Sequence, residues 1–124
     1  MHCVSIYPMK NEEANISFIE KLNLRYPEIT IGWSTHEKPS NTDIIKVAYA
    51  TGARMFERHV GISSNKYGLN DYSSEPKQIS DWINSFLITK QILGNKDKVI
   101  IDSEIESLNK LKRGIYLSNN KSKG

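Results

Sequence analysis

Ile29-Thr30-Ile31-Gly32-Trp33-Ser34-Thr35-His36 and Arg54-Met55-Phe56-Glu57-Arg58-His59 are short apolar segments that each close on a histidine. Between them Ile44, Ile45, Val47 and Ala48 give the apolar face of a short helix. Strand, helix, strand, with a coordinating side chain at the carboxyl end of each strand, is the layout of a site in a parallel α/β enzyme. An imidazole in that place can bind a divalent metal or move a proton.

Working outward, His2-Cys3-Val4-Ser5-Ile6-Tyr7 is a third β-prone run, closed by Pro8. Asn11 offers an N-cap with Glu12 and Glu13 in the first turn, and Ile16, Ile19 and Leu22 continue at helical spacing up to Pro27. The strands are expected over Ile29 to Ser34 and Arg54 to Val60. Ser40 and Asp43 resemble a capping box for the helix between them, which Gly52 ends as a C′ residue. A long loop, Gly61 to Ser73, leads to Ser74-Glu75-Pro76, where proline opens a helix whose stripe is Ile79, Trp82, Ile83, Phe86, Ile92 and Leu93; Gly94 stops it. Val99-Ile100-Ile101 predicts a short strand, Ser103 to Leu111 a helix and Arg113 to Ser118 a strand; the last six residues are polar and expected to be loose.

The strands recur at intervals of roughly 25 residues, close to one βα unit of an eight-fold barrel of about 250 residues. Three parallel strands cannot close a barrel, and they leave two open edges and half a core exposed. The fold class is α/β, either as a small open sheet or as part of something larger.

Alternate residues of a strand share a face. Polar pairs therefore stand together near the three strand ends: Ser5 with Tyr7, Ser34 with His36, Glu57 with His59. His36 and His59 are candidates to share one metal ion, with remaining positions filled by water, substrate or other chain; two imidazoles with oxygen ligands suit Mn²⁺, Co²⁺ or Zn²⁺. Glu57 is placed to orient His59, or to pair with a nearby lysine or arginine. Arg58 has the wrong parity for the mouth and is expected to pair with a helix carboxylate. Trp33, Phe56 and Trp82 read as core. The bland alternative is that each histidine is a satisfied strand-end residue.

Composition narrows the classes. With 124 residues the chain suffices for one domain of modest core, and its net charge of +3 is small. Lys110, Lys112, Arg113, Lys121 and Lys123 cluster near the C-terminus; a nucleic-acid face would need a denser stripe with interleaved aromatics, so the cluster reads as a solvated surface or tail. The single cysteine, Cys3, excludes an internal disulfide, and no histidine is expected to be placed to activate it, so cysteine catalysis is not expected. No Gly-rich phosphate loop is present. No apolar run approaches the roughly 20 residues that cross a bilayer. No secretion signal opens the chain, so the expected location is cytoplasmic, and Asn15-Ile16-Ser17 and Asn120-Lys121-Ser122 carry no weight as glycosylation sites.

Taken together, His2 to Pro8, Glu12-Glu13-Ala14-Asn15, Ile31 to His36, Gly52-Ala53, Phe56-Glu57-Arg58-His59, Ser74-Glu75-Pro76 and Arg113-Gly114 resemble, in order and spacing, the N-acetylneuraminate (sialic acid) synthase family. The resemblance implies a partial TIM (β/α)₈ barrel: three C-terminal βα units, strands six to eight, over 1–95, and over 96–124 the start of a linker toward an absent antifreeze-like domain. It implies condensation of phosphoenolpyruvate with an N-acetylated amino sugar to a nonulosonic acid and phosphate, with a divalent metal, Mn²⁺ as a rule. It implies a homodimer for the full-length form. By this likeness His36 and His59 look like the metal ligands, Ser34 a phosphate contact, Tyr7 a sugar-side contact, and Ser5 a polar group near the phosphate.

There are departures. The family reads Ser-Asp-His-Thr where this chain has Ser34-Thr35-His36-Glu37, and Gly68 to Ser73 lacks the common Gly-Pro-Asp-His pattern, which points to another nonulosonic acid precursor. The family's glutamate and lysines on earlier strands have no place here, so no residue is assigned as catalytic. Met1 fits the middle of the sixth-strand motif, as expected of a fragment, a truncated gene or one piece of a split enzyme. The chain is thus expected to be inactive alone. The competing readings are a non-catalytic partial barrel that binds a partner, and a small independent metal-binding protein.

Overall fold

The computed structural model describes residues 1–120, 122 and 123, which divide into two compact units, Met1–Gly94 and Asn95–Gly124. Lys121 of the basic cluster and Gly124, both within the tail expected to be loose, lie outside the described residues.

In the first unit three parallel strands pair in sequence order: β1 (His2–Cys3), β2 (Gly32–Thr35) and β3 (Met55–Arg58). The connections are helical: α1 (Phe18–Arg25) follows β1, α2 (Asp43–Ala50) follows β2 and α3 (Pro76–Leu93) follows β3. This repeating βα order is the expected class. Register is Cys3 to Ser34 and Ser34 to Glu57, so each lies in one row across the sheet; His2, Trp33 and Phe56 form the neighbouring row on the other face.

The second row faces the helices. Trp33 packs in a buried cluster with Ile19 of α1 and Ile44 and Ala48 of α2, and Phe56 meets Trp82 and Phe86 of α3 edge-on or tilted. The aromatics expected in the core are there. Full burial of side chains such as Trp33, Ile19 and Ile45 stabilises by about 1.5–3 kcal/mol each. On the opposite face Cys3, Met55 and Glu57 are exposed, Met55 by 48%. The uncovered face is the half-core that three strands alone cannot close. Gly32 lets β2 approach β3, since a Cβ there would lie 2.8 Å from the Met55 carbonyl oxygen.

Several local expectations change. The first strand stops at Cys3, far short of Tyr7, and the Tyr7–Pro8 peptide is cis. The first helix does not start at Asn11: Asn11–Glu13 form one 3₁₀ turn, in which the Lys10 N–H donates to Glu13 Oε2 at 2.8 Å, Asn15 takes φ +48°, and α1 begins at Phe18. Helix α2 is opened by Asn41, whose Oδ1 accepts from the Asp43 N–H at 2.9 Å, and not by Ser40. Gly52 takes φ +108° just past the helix, as its place at C′ requires. Helix α3 opens with Pro76 and with the Glu75 N–H donating to Gln78 Oε1 at 2.8 Å.

The second unit holds α4 (Asp102–Leu111), where a helix was expected. Neither Val99–Ile101 nor Arg113–Ser118 forms a strand. An isolated β-prone run has no partner for its backbone, and without a ladder the propensity alone does not make a strand. Lys98 Nζ pairs with Glu104 Oε1 at 2.8 Å. Among the described residues no helix is long and apolar enough to cross a membrane.

Candidate active site

Two residues past the row Cys3–Ser34–Glu57, the chain places His36 after β2 and His59 after β3 on the same open face. Their ring centroids are 5.3 Å apart, with planes inclined by 37°. His36 is 3% exposed, and its Nδ1 lies 2.7 Å from the Val4 carbonyl oxygen. A carbonyl only accepts, so in the neutral ring Nδ1 carries the proton and Nε2 the free lone pair. This is the arrangement that presents Nε2 to a metal or to a proton donor.

Cys3 Sγ is 4.0 Å from the same Nδ1. His36, distant in sequence, therefore does stand beside the cysteine. The Nδ1 proton points to Val4, so the ring is not set to take a proton from the thiol.

Tyr7 joins the histidines, its ring 4.3 Å from that of His36. Ser34 is buried in the row beneath, and Ser5 and Glu57 are exposed. Glu57 stands two residues before His59 on the same face, but among the described residues it forms no hydrogen bond to His59.

One residue was not foreseen. Tyr72, from the long loop after β3, sets its ring edge-on to both imidazoles, at 5.1 Å from His59 and 6.4 Å from His36, and 4.9 Å from Tyr7. The loop returns because the Ser74 N–H donates to the His59 carbonyl at 2.9 Å and the Gly61 N–H to the Ser74 carbonyl at 3.0 Å. The only sequence signal was an aromatic two residues before the Ser74-Glu75-Pro76 helix start.

On the helix-facing side, Arg58 meets Glu37 of the β2–α2 loop and not a helix carboxylate. NH1 donates to Glu37 Oε1 at 2.7 Å, Nε to Ser74 Oγ at 2.6 Å and NH2 to the Lys38 carbonyl at 3.3 Å, and the guanidinium sits 5.3 Å from the Trp82 ring centroid. The Arg58 and Glu37 side chains are 2% and 0% exposed. Burial pushes the Glu37 carboxyl above the usual carboxylate range, against the opposing pull of its own backbone N–H and of Arg58.

The donor set suits a borderline divalent metal: two imidazoles on one open face, one with its Nε2 freed by a backbone bond. No group of three His, Cys, Asp or Glu side chains gathers for a metal among the described residues, so further ligands would be water, substrate or other chain.

Parallel βα units with an imidazole pair at the carboxyl ends define a class, parallel α/β folds with a candidate site at the strand ends. The model of the NeuB family matches residues 1–98, and the chain belongs to that family. It is 29% identical over 116 residues to N-acetylneuraminate-9-phosphate synthase of Mus musculus, covering 93% of this chain and 32% of the mouse protein. Among solved structures it resembles a protein assigned to spore coat polysaccharide biosynthesis (protein E) of Chromobacterium violaceum, with TM-score 0.84, 37% identity, and 92% of this chain and 34% of that one covered. It also resembles the N-acetylneuraminic acid synthetase of Leptospira borgpetersenii serovar Hardjo-bovis in complex with citrate: TM-score 0.70, 34% identity, and 90% and 40% of the two chains covered. The chain thus spans about a third of the length of its relatives.

Proposed function

We propose that this chain is the sixth-to-eighth-strand portion of a (β/α)₈ synthase that joins phosphoenolpyruvate to an N-acetylated amino sugar, forming a nonulosonic acid and phosphate. The observation that carries the reading is the imidazole pair at 5.3 Å with His36 locked by Val4, in a chain of the NeuB family. Ser34, buried in the row below, is read as a phosphate contact, and Ser5 as a polar neighbour of the same group. Tyr7, against His36, is read as a sugar-side contact. Glu57 is read as supporting His59 from the same strand face.

His36 and His59 would hold a divalent metal, Mn²⁺ in this reading, which supplies Lewis-acid polarisation of the open-chain sugar carbonyl. In the reaction the enol carbon of phosphoenolpyruvate forms the new bond to that carbonyl, water adds to the resulting cationic carbon, and phosphate leaves. Ser34 and His36 are buried, whereas His59, beside the Tyr72 ring, stands exposed on the open face.

The open face, with Met55 exposed by 48%, supports the further reading that the isolated chain is inactive until further strands cover it. Mixing this chain with the N-terminal half of a related barrel is expected to yield phosphate release from phosphoenolpyruvate that depends on the amino sugar and on Mn²⁺, and that His36→Ala abolishes. Release no greater than either half gives alone would refute the assignment.

A further inference from the structure

We propose that Arg58 is a positioning residue: its guanidinium fork sets the separation of the His36 and His59 rings from the far side of the sheet. The inference rests on the reading of those two imidazoles as one site.

Strands β2 and β3 pair through Thr35 and Arg58 and no further. Beyond that level the two chains part. Glu37 bridges to Met9 on one side, and Val60 bridges to Ser74 on the other. The histidines fall in this gap, so no backbone pairing between their own segments holds them at 5.3 Å.

Arg58 spans the gap. One arm, NH1, reaches Glu37, the residue directly after His36, at 2.7 Å, and NH2 reaches the Lys38 carbonyl at 3.3 Å. The other arm, Nε, reaches Ser74 Oγ at 2.6 Å, and the Ser74 N–H holds the His59 carbonyl at 2.9 Å. Arg58 is itself the residue before His59. One rigid plane therefore fixes the chain on both sides of the histidine pair. Trp82 stacks against that plane at 5.3 Å, and the fork is almost fully buried. Arg58 does not touch the open face, so its action is through the histidines and not on a substrate.

Lysine cannot replace it. An ammonium keeps the charge but presents no planar fork, and it cannot serve Glu37, Ser74 and Lys38 in one geometry. Arg58→Lys thus retains an ion pair while removing the spacer.

The test is made on the full chain, first without metal. Imidazole ¹H–¹⁵N spectra of Arg58→Lys are expected to show the His36 and His59 ring signals displaced, with that of His2, bonded to Ala14, in place as the internal control. A merely structural loss would move all three or none. Titration with Mn²⁺ alone is expected to show affinity reduced by about 10–100-fold. If the parent chain binds no Mn²⁺ while the two ring signals still move, the metal reading fails and the positioning role stands. A folded Arg58→Lys with either ring signal unmoved overturns the proposal. Should Arg58→Lys not fold, Ser74→Ala removes one arm only: displacement of the His59 signal supports the proposal, and an unmoved His59 signal overturns it.

Discussion

Replacing Arg58 by methionine strands the Glu37 carboxylate inside the protein, since Glu37 Oε1 is held by Arg58 and its Oε2 has no partner. At the observed N···O distance of 2.7 Å the Coulomb attraction is about 6 kcal/mol for an effective dielectric of about 20. Desolvation of two ions, several kcal/mol each, opposes it. The pair as a whole is therefore near neutral against an apolar replacement, whereas one ion left alone is costly. Arg58→Met is expected to destabilise by about 3–5 kcal/mol, and the double variant Arg58→Met/Glu37→Met to return to within about 2 kcal/mol of the parent. Against a typical domain stability of about 5–15 kcal/mol, the single loss is readily measured. Urea unfolding followed by the fluorescence of Trp33 and Trp82, both in the first unit, provides the midpoints for a double-mutant cycle. A double variant no more stable than Arg58→Met would place the cost in packing and not in the uncompensated charge.

Two further outcomes follow from the same region. Because burial raises the Glu37 carboxyl, the folded chain takes up that proton more readily than the unfolded one. Its contribution to stability is fully present below the ordinary carboxylate range and is lost as pH rises through the raised folded value; Glu37→Gln should flatten this slope, and unfolding midpoints across pH that keep it would assign it elsewhere. Gly32→Ala sets a methyl 2.8 Å from the Met55 carbonyl oxygen, a backbone atom that cannot step aside, and should cost about 1–3 kcal/mol in thermal or urea unfolding. An unchanged midpoint would mean that the strands separate freely there.

The alternation of β-prone runs and helical spacing was enough to read three parallel βα units, because side-chain periodicity is a local property of the chain. The same parity put His36 and His59 on one face, and the structure gathers them with Tyr7. Parity also turned Arg58 away from that face, but not toward a helix: its partner is Glu37, in a loop whose path the pattern does not specify. Propensity misled at Val99–Ile101 and Arg113–Ser118, where β-branched and aromatic residues meet no neighbouring strand.

What the chain's own order of residues determined is the parallel α/β class, the helix-facing row of Trp33 and Phe56, and the levels at which the histidines stand. These depend on periods of two and 3.6 residues, which no distant contact can alter. Only the folded molecule decided that Val4 would hold Nδ1 of His36, that Tyr72 would stand over His59, and that Arg58 would close the gap between β2 and β3. Those contacts join residues far apart in sequence. They form where the chain has to satisfy buried polar groups after the ladder ends, and that demand is set by the packed structure and not by any one segment.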